Sequence, residues 1–321
     1  MKKIGKITGI ILLALLGGIL LLGIIPVSIT EQPASPNPAT SYEEAIRRFE
    51  AIQAAEEGIL MSEKTQSVLM THGEKTDKVY VLIHGLTNSP WQWVPFGEML
   101  YGMGYNVLIL RMPGHGLASG SVGELAAMTP EILREFGDEN VDIAAGLGDE
   151  IHVVGLSVGG TVANWIAQNR PDVTRVMSVA AMHGLDGLPH FLNIFAMNLA
   201  IRLPNFTPTS PSEPQRDYVY RGQSTRGVGN AMLFGQSVSQ QAAGAPPAVN
   251  DIIVVTNAND TTISNKEIKA LADKWDAQGG NVVRYEFPKE LGYPHPLTDP
   301  GSNPDAFDVY PVLLDLLGEE Q

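Results

Sequence analysis

The stretch IHVVGLSVGGTVA, residues 151–163, has the pattern of a buried strand, a sharp turn and a helix. Its apolar beginning is typical of a strand, and residues 158–168 (VGGTVANWIAQ) carry apolar side chains at helical spacing. The turn is the pentapeptide GLSVG, residues 155–159, which is the only G-x-S-x-G in the chain. Two glycines suit a strained turn, so the sequence predicts that the Ser157 hydroxyl stands clear of the backbone at the positive end of the helix.

A serine in this setting resembles the nucleophile elbow of the α/β-hydrolase superfamily. The resemblance covers about residues 67–318, and within the superfamily the chain is most similar to bacterial carboxylesterases and monoacylglycerol lipases. It implies a mainly parallel sheet covered by helices on both faces, with a helical cap inserted after the sixth strand. A serine rather than an aspartate at the elbow argues against haloalkane dehalogenase and epoxide hydrolase chemistry.

Apolar segments alternate with helical patterns along this region, which favours a parallel sheet with its active site at the carboxyl ends of the strands. The alternation breaks between about residues 185 and 250, where the resemblance implies the cap. Apolar side chains of the first cap helix either roof an acyl pocket or bury the cap on the main domain: Phe191, Ile194, Phe195, Met197 and Leu199. Strands are predicted at residues 67–71, 79–83, 105–111, 151–156, 175–181, 251–256 and 281–287.

Composition limits the classes of protein to consider. The chain has 321 residues, of which 44% are hydrophobic, enough for one α/β domain of roughly 200–250 residues. Its 35 acidic and 21 basic residues give a net charge of −14, which argues against a nucleic-acid partner. The absence of cysteine excludes disulfides, thiolate metal sites, a cysteine nucleophile and a lipid anchor on cysteine.

The N-terminus has the pattern of a membrane segment. Three lysines, Lys2, Lys3 and Lys6, precede the apolar residues 7–25, which as a helix span roughly 28 Å, about the thickness of a bilayer's hydrocarbon core. No good cleavage site follows in residues 26–30, so the pattern favours an uncleaved signal anchor, the alternative being a cleaved signal and a secreted protein. The positive-inside rule then predicts that the body of the protein is extracytoplasmic.

Three regions are therefore predicted. Residues 1–30 form the membrane signal anchor, residues 31–66 a tether and an N-terminal helix, and residues 67–320 the hydrolase domain with its cap at about 185–250. The tether is expected at residues 31–40 (EQPASPNPAT), because three prolines and small polar residues favour an extended chain. No sequence feature indicates whether the protein self-associates.

The resemblance also implies an acid and a base to accompany Ser157. Asp260 follows the strand at residues 251–256, where the family carries its acid, and Asp186 is the alternative position after the preceding strand. His295 follows the last strand, 35 residues beyond Asp260, at the position of the general base. The chain order Ser, Asp, His is the order that this fold uses.

Two further histidine loops match the family. His84 and Gly85 end the strand at residues 79–83, and by resemblance the N–H groups of Leu86 and Val158 would form the oxyanion hole. His115, in the sequence PGHG, precedes the nucleophile in the chain, so it is interpreted as a residue that structures its loop.

These residues predict a serine hydrolase that cleaves carboxylic esters, either small-molecule or lipid, through an acyl-enzyme. We expect no metal and no organic cofactor. A serine aminopeptidase or an acyltransferase would use the same residues. An aminopeptidase should also have carboxylates in its cap to bind the substrate ammonium, and the two in this cap, Glu213 and Asp217, are too few to decide. A membrane-tethered binding protein without catalysis is the alternative from another class, since a fold does not determine a function.

Overall fold

The computed structural model describes residues 2–209 and 216–319, with residues 2–5, 9 and 10 described by their backbone only. Within this part of the chain, seven strands form one sheet in the order β1-β3-β2-β4-β5-β6-β7. All neighbouring strands are parallel except β1 and β3, which confirms the predicted mainly parallel sheet. The strands are β1 Val68–Met70, β2 Thr76–Ile83, β3 Asn106–Ile109, β4 Gly148–Leu156, β5 Arg175–Val179, β6 Ile252–Asn257 and β7 Val282–Phe287.

Nine α-helices lie in the described residues, and those that connect the strands flank the sheet. They are α1 Lys2–Ile24, α2 Tyr42–Glu56, α3 Val94–Gly102, α4 Pro130–Ala144, α5 Val158–Asn169, α6 His190–Arg202, α7 Thr225–Gly244, α8 Asn265–Ala277 and α9 Ala306–Leu317. Several begin at a hydroxyl side chain that accepts a backbone N–H, as Thr129 does at α4 and Ser224 at α7.

The centre of the sheet is buried on both faces. Residues 79–83 of β2 and 252–257 of β6 are buried without interruption, as expected for strands covered by helices on both sides. Helix α5, which follows the pentapeptide GLSVG, is buried from Val158 to Gln168 and packs on β4 and β5. The serine therefore lies at the centre of the sheet, at the carboxyl end of β4.

The insertion between β5 and β6 contains α6 and α7, which pack against each other. The strand before it, counted as the sixth by resemblance, is the fifth of this sheet in chain order. Of the polar segment between the two helices, residues 210–215 lie outside the described residues, and with them Glu213.

The segment predicted as a tether is extended, but it lies against the body of the domain. The backbone N–H groups of Ser35 and Asn37 each donate 2.9 Å hydrogen bonds, to the carboxylates of Asp138 and Asp142 on α4. The indole N–H of Trp165 on α5 donates to the carbonyl of Gln32 at 2.6 Å. Because α4 and α5 hold this segment, residues 32–37 are part of the folded domain and not a free spacer.

Before this segment stands α1. Its stretch Lys6–Ile24 has a mean hydropathy of 2.7, and by length and composition it is able to cross a membrane or to serve as a signal sequence.

Candidate active site

Ser157 lies in the turn between β4 and α5 and has a backbone conformation that residues other than glycine rarely adopt. Its φ is 57° and its ψ −118°. The turn is held by main-chain hydrogen bonds: the N–H of Ser157 donates to the carbonyl of Val179 at 3.0 Å, and its own carbonyl accepts the N–H of Met182 at 3.0 Å. A strained residue persists only where its surroundings over-determine it, and here β5 and the loop after it do so.

The two glycines of the pentapeptide are required by close approach. A Cβ atom at Gly155 would overlap the backbone of Gly159, and one at Gly159 would overlap the carbonyl of Ile83. Both positions are closed to any larger residue unless the backbone moves. Glycine therefore stands at both positions of the pentapeptide because the turn leaves no room there for a side chain.

Three predicted side chains form one chain of hydrogen bonds. His295 Nε2 is 2.9 Å from Ser157 Oγ, and His295 Nδ1 is 2.6 Å from Asp260 Oδ2. The Asp260 carboxylate is fully buried, whereas the His295 side chain keeps 15% of its exposure. With Nδ1 donating to the carboxylate, Nε2 is free to accept the serine proton.

Burial alone would raise the pKa of Asp260, but its hydrogen bonds outweigh burial and leave the pKa below its ordinary value. The hydrogen bond to His295 contributes most, and the N–H groups of Thr262 and Ile263 add to it by donating to Oδ1 at 2.8 and 3.2 Å. Asp260 is therefore a carboxylate at neutral pH. The alternative acid, Asp186, is exposed and makes no hydrogen bond to His295 in the described structure.

The loop that carries His295 is held by amides that the sequence analysis did not identify. Asn257 and Asn259 both donate from Nδ2 to the carbonyl of Tyr293, at 2.9 and 3.1 Å. Asn265, in turn, donates to the carbonyl of Asn257 at 2.6 Å. The asparagines of the NAND sequence at 257–260 are the available signal for this contact.

The loop after β2 brings Gly85 and Leu86 next to the serine. A Cβ atom at Gly85 would lie 3.2 Å from that of Ser157, and the N–H of Gly85 donates to Gln92 Oε1 at 2.8 Å. Among the described residues, neither the N–H of Leu86 nor that of Val158 has a hydrogen-bond partner. Free N–H groups are expected at the first turn of a helix such as α5, and they are what an oxyanion hole requires.

His84 anchors this loop as a neutral ring. Its Nε2 accepts the N–H of Met112 at 3.0 Å, which leaves Nδ1 to donate to the carbonyl of Gly85 at 3.0 Å. Complete burial lowers the pKa of His84 to about 4, so the ring is uncharged at neutral pH.

His115 is likewise buried and lies edge-on to His84, with ring centroids 5.0 Å apart. Its Nδ1 lies 3.1 Å from the carbonyl of Pro113, and burial lowers its pKa well below the usual value. It makes no hydrogen bond to Ser157 in the described structure. This geometry agrees with a residue that structures its loop.

A cavity of about 670 Å³ opens at Ser157 and His295. Its apolar walls come from the sheet ends and from the cap: Leu86, Leu156, Met182, Leu185, Ala196, Ala200, Val219, Val228 and Met232. None of the five apolar cap residues singled out from the sequence is among the described lining residues. Met197 is buried in the core, and Phe191 is 69% exposed. The small residues Ala196 and Ala200 form the roof instead, because the opposite side of α6 carries the large side chains.

A buried carboxylate that the sequence analysis missed supports one wall of the cavity. Asp299 accepts hydrogen bonds from Asn88 Nδ2 at 3.2 Å, the hydroxyl of Tyr218 at 3.2 Å and the hydroxyl of Ser302 at 2.6 Å. The guanidinium of Arg216 lies 3.7 Å from it. Asn88, Arg216 and Ser302 line the cavity, so Asp299 positions polar groups there without reaching it. Its loop follows His295, and no local pattern marked it.

Comparison with known proteins gives consistent results. A family model described as the alpha/beta hydrolase family matches residues 80–307, more than half of the chain. A thermostable monoacylglycerol lipase of Bacillus sp. (strain H-257) is 27% identical over 135 residues, 37% of this chain and 50% of that enzyme. The chain thus spans about half the length of the curated relative it matches.

Solved structures with the same fold include a metagenome-derived lipolytic enzyme, at 16% identity and a TM-score of 0.59 over 80% of this chain and 98% of that one. A soluble variant of monoglyceride lipase from Saccharomyces cerevisiae, in complex with a substrate analog, has 14% identity and a TM-score of 0.60. The match covers 78% of this chain and 90% of the yeast chain.

Proposed function

The chain belongs to the alpha/beta hydrolase family, and from that premise we propose that it hydrolyses carboxylic esters with Ser157 as its nucleophile. One observation carries the proposal: the unbroken hydrogen-bonded chain from Ser157 through His295 to Asp260 opens into a mainly apolar cavity. A serine is a weak nucleophile at neutral pH, so a base in contact with it is what its activation requires.

The proposed reaction runs in two halves. Ser157 Oγ attacks the ester carbonyl carbon while His295 Nε2 takes its proton, and the N–H groups of Leu86 and Val158 bind the developing oxyanion. His295 then returns the proton to the alcohol as the carbon–oxygen bond breaks, leaving an acyl-enzyme. A water that gives its proton to His295 attacks the acyl group and releases the carboxylic acid and the free serine.

Asp260 has a defined part in this reaction. As a carboxylate hydrogen-bonded to Nδ1, it selects the tautomer in which Nε2 accepts a proton, and it stabilises the imidazolium that forms. The lowered pKa of Asp260 supports this role, because the carboxylate keeps its charge throughout the neutral range.

The cavity favours an ester with an apolar acyl group. Its volume of about 670 Å³ and its aliphatic walls suit a hydrocarbon chain. No aspartate or glutamate is among the described residues that line it, which counts against an aminopeptidase, since a substrate ammonium needs a carboxylate. The similarity to monoacylglycerol lipases points the same way, towards a lipid ester.

The test is hydrolysis of p-nitrophenyl esters from acetate to palmitate by the full chain in detergent. Ser157→Ala is expected to lower the rate by at least about 10⁴-fold, because the residues of such a site act as a unit. Ser119→Ala, at an exposed serine, is the matched control and should retain the parent rate. Equal activity of the Ser157→Ala protein would refute the proposal.

A further inference from the structure

The end of α1 is bound by the cap. Asn198 on α6 is completely buried, and both ends of its amide are used by the N-terminal segment. Its Nδ2 donates to the carbonyl of Gly23 at 2.8 Å, and its Oδ1 accepts the N–H of Val27 at 3.1 Å. A buried amide has to be hydrogen-bonded, so residues 23–27 complete the cap at this point.

Arg202, one turn further along α6, binds one carbonyl at the end of α1 and two just beyond it. Its Nη1 donates to the carbonyls of Leu22 and Ile25, both at 2.7 Å, and its Nη2 to that of Pro26 at 2.9 Å. The final carbonyls of a helix have no partner within it and carry its negative end, so a guanidinium satisfies both the hydrogen bonds and the charge.

Close packing accompanies these bonds. Gly23 is buried against the ring of Phe195, and a Cβ atom there would overlap the ring. Small residues let a helix approach its neighbour in this way. Since residues 32–37 are also bound, to α4 and α5, the chain between α1 and the domain is held at both ends. The domain therefore has a defined orientation relative to the end of α1.

Helix α6 lies between α1 and the cavity. Phe195, Asn198 and Arg202 share the face that binds α1, because successive residues turn by about 100°. Ala196 and Ala200, on another face, line the cavity. The roof of the cavity is thus one helix thick, and α1 is attached to its outer side.

Large apolar side chains on both sides of the contact between α1 and α6 are exposed. Phe191, four residues before Phe195 and on the same face, is 69% exposed, and Phe206, just beyond the end of α6, is 67% exposed. Large apolar side chains among the described residues of α1 are themselves exposed, Leu13 by 71% and Ile24 by 67%. A bilayer covers an apolar helix of this length on all sides. Of the two phenylalanines, Phe191 lies on α6, which holds the end of α1, and Phe206 lies just beyond α6.

We propose that the cap docks on the bilayer that α1 enters, with Phe191 and Phe206 in the boundary between headgroups and acyl chains. The joint of Gly23, Asn198 and Arg202 holds the cap in that position, so the cavity receives its ester from the same bilayer. The net charge of −14 does not attract an anionic surface, which leaves the docking to α1 and these apolar side chains. The delivery of an ester rests on the proposed function, whereas the docking itself does not.

Because the chain contains no cysteine, single labels test the docking directly. Phe191→Cys and Phe206→Cys are labelled with the fluorophore NBD in the full chain, reconstituted in phosphatidylcholine vesicles with and without doxyl-labelled lipid. In vesicles with doxyl lipid, the NBD emission at residues 191 and 206 is expected to fall about twofold or more. Interfacial residues lie roughly 5–10 Å into the bilayer, where the doxyl groups reach them. Phe307→Cys is the matched control, a phenylalanine on α9 that is 60% exposed, and its label should not be quenched.

Quenching that is equal at all three positions, or absent at residues 191 and 206, would overturn the proposal. Shielding of these two labels that depends on protein concentration but not on doxyl lipid would indicate a second protein copy, and would overturn it too. Asn198→Ala combined with Arg202→Ala should reduce the quenching at residue 191 about twofold, because α1 then no longer fixes the cap. The control is Arg284→Ala, at an exposed arginine on β7.

Activity separates delivery from chemistry. Phe191→Ser combined with Phe206→Ser is expected to slow hydrolysis of a long-chain monoacylglycerol in vesicles about tenfold, because interfacial binding scales with apolar area. Hydrolysis of water-soluble p-nitrophenyl butyrate should stay within about twofold, since neither residue lines the cavity. An equal loss on both substrates would contradict delivery from the bilayer. If the parent chain cleaves neither ester, the proposed function fails, while the quenching experiment still decides the docking.

Discussion

The loops that carry Ser157, His295 and Asp260 and the cap helix α6 border the same cavity, but they are held in different ways. Each loop follows a strand of the sheet and is fixed by hydrogen bonds, from main-chain groups at Ser157 and from asparagine side chains at the loop of His295. Helix α6 is fixed on its outer side by α1 and leaves Phe191 exposed. From this difference we expect the chemistry to depend on the loops of the sheet, and substrate choice and delivery to depend on the cap and α1.

The largest effect is expected in the loops. Asp260→Asn should lower kcat by about 10⁴-fold, because an amide at this position favours the wrong tautomer of His295. The measurement is the rate on p-nitrophenyl butyrate. Asp186→Asn, at the exposed acid, serves as the control and should leave the rate unchanged. Comparable losses for both variants would contradict the assignment of Asp260, and not Asp186, as the acid that acts on His295.

A smaller effect is expected at the roof. Ala200→Leu shortens the cavity, so we expect the ratio of palmitate to butyrate hydrolysis to fall about tenfold, the scale of one or two methylenes in an apolar pocket. The rate on p-nitrophenyl acetate should not change, because the substitution leaves Ser157, His295 and Asp260 unaltered. Ala243→Leu, at an exposed position of α7, is the control. If Ala200→Leu leaves the dependence of the rate on acyl-chain length unchanged, α6 does not determine substrate choice.

The smallest effect concerns His183, where the sheet meets the cap. Burial lowers the pKa of His183 to about 3, and its Nε2 accepts a hydrogen bond from Asn164 at 3.0 Å. The unfolded chain binds the proton from about pH 6.5 downwards while the folded chain does not, so stability is lost as the pH falls below that value. The loss per group is on the order of one kcal/mol per pH unit.

His183→Gln should therefore flatten the dependence of the melting temperature on pH between 6.5 and 4, even if the variant is less stable overall. Ser119→Gln, at an exposed residue without an ionisable side chain, is the control and should keep the parent slope. A slope that His183→Gln leaves intact would assign the pH dependence to other groups, such as His84, whose pKa is also lowered by burial.

Much of the fold was predictable because its signals are local. A buried strand, a glycine-flanked serine and a helix with apolar side chains at helical spacing occupy consecutive residues, and repeated strand–helix alternation leads to a parallel sheet. The resemblance then led to His295 and Asp260, which the structure brings into contact with Ser157 or with each other. The supporting groups were missed. Asn257 and Asp299 act through hydrogen bonds to residues 36 and 81 positions away, and no local pattern specifies these partners.

The cap was the least predictable region for the same reason. Its large apolar residues were candidates for the roof, yet Ala196 and Ala200 line the cavity, because which face of α6 points inwards depends on the packing of α7 and α1. Likewise, prolines at residues 31–40 indicated an extended chain, but not that Asp138 and Asp142 would bind it.

The sequence by itself determined the fold class, the strained turn at Ser157 and a helix apolar enough for a membrane, because each depends on neighbouring residues. Only the tertiary structure decided that Asp260 and not Asp186 contacts His295, that α6 presents alanines to the cavity, and that Asn198 receives the end of α1. These contacts join residues far apart in the chain, 171 positions in the case of Val27 and Asn198. Such pairs form only when the whole core has packed, so no local pattern specifies them.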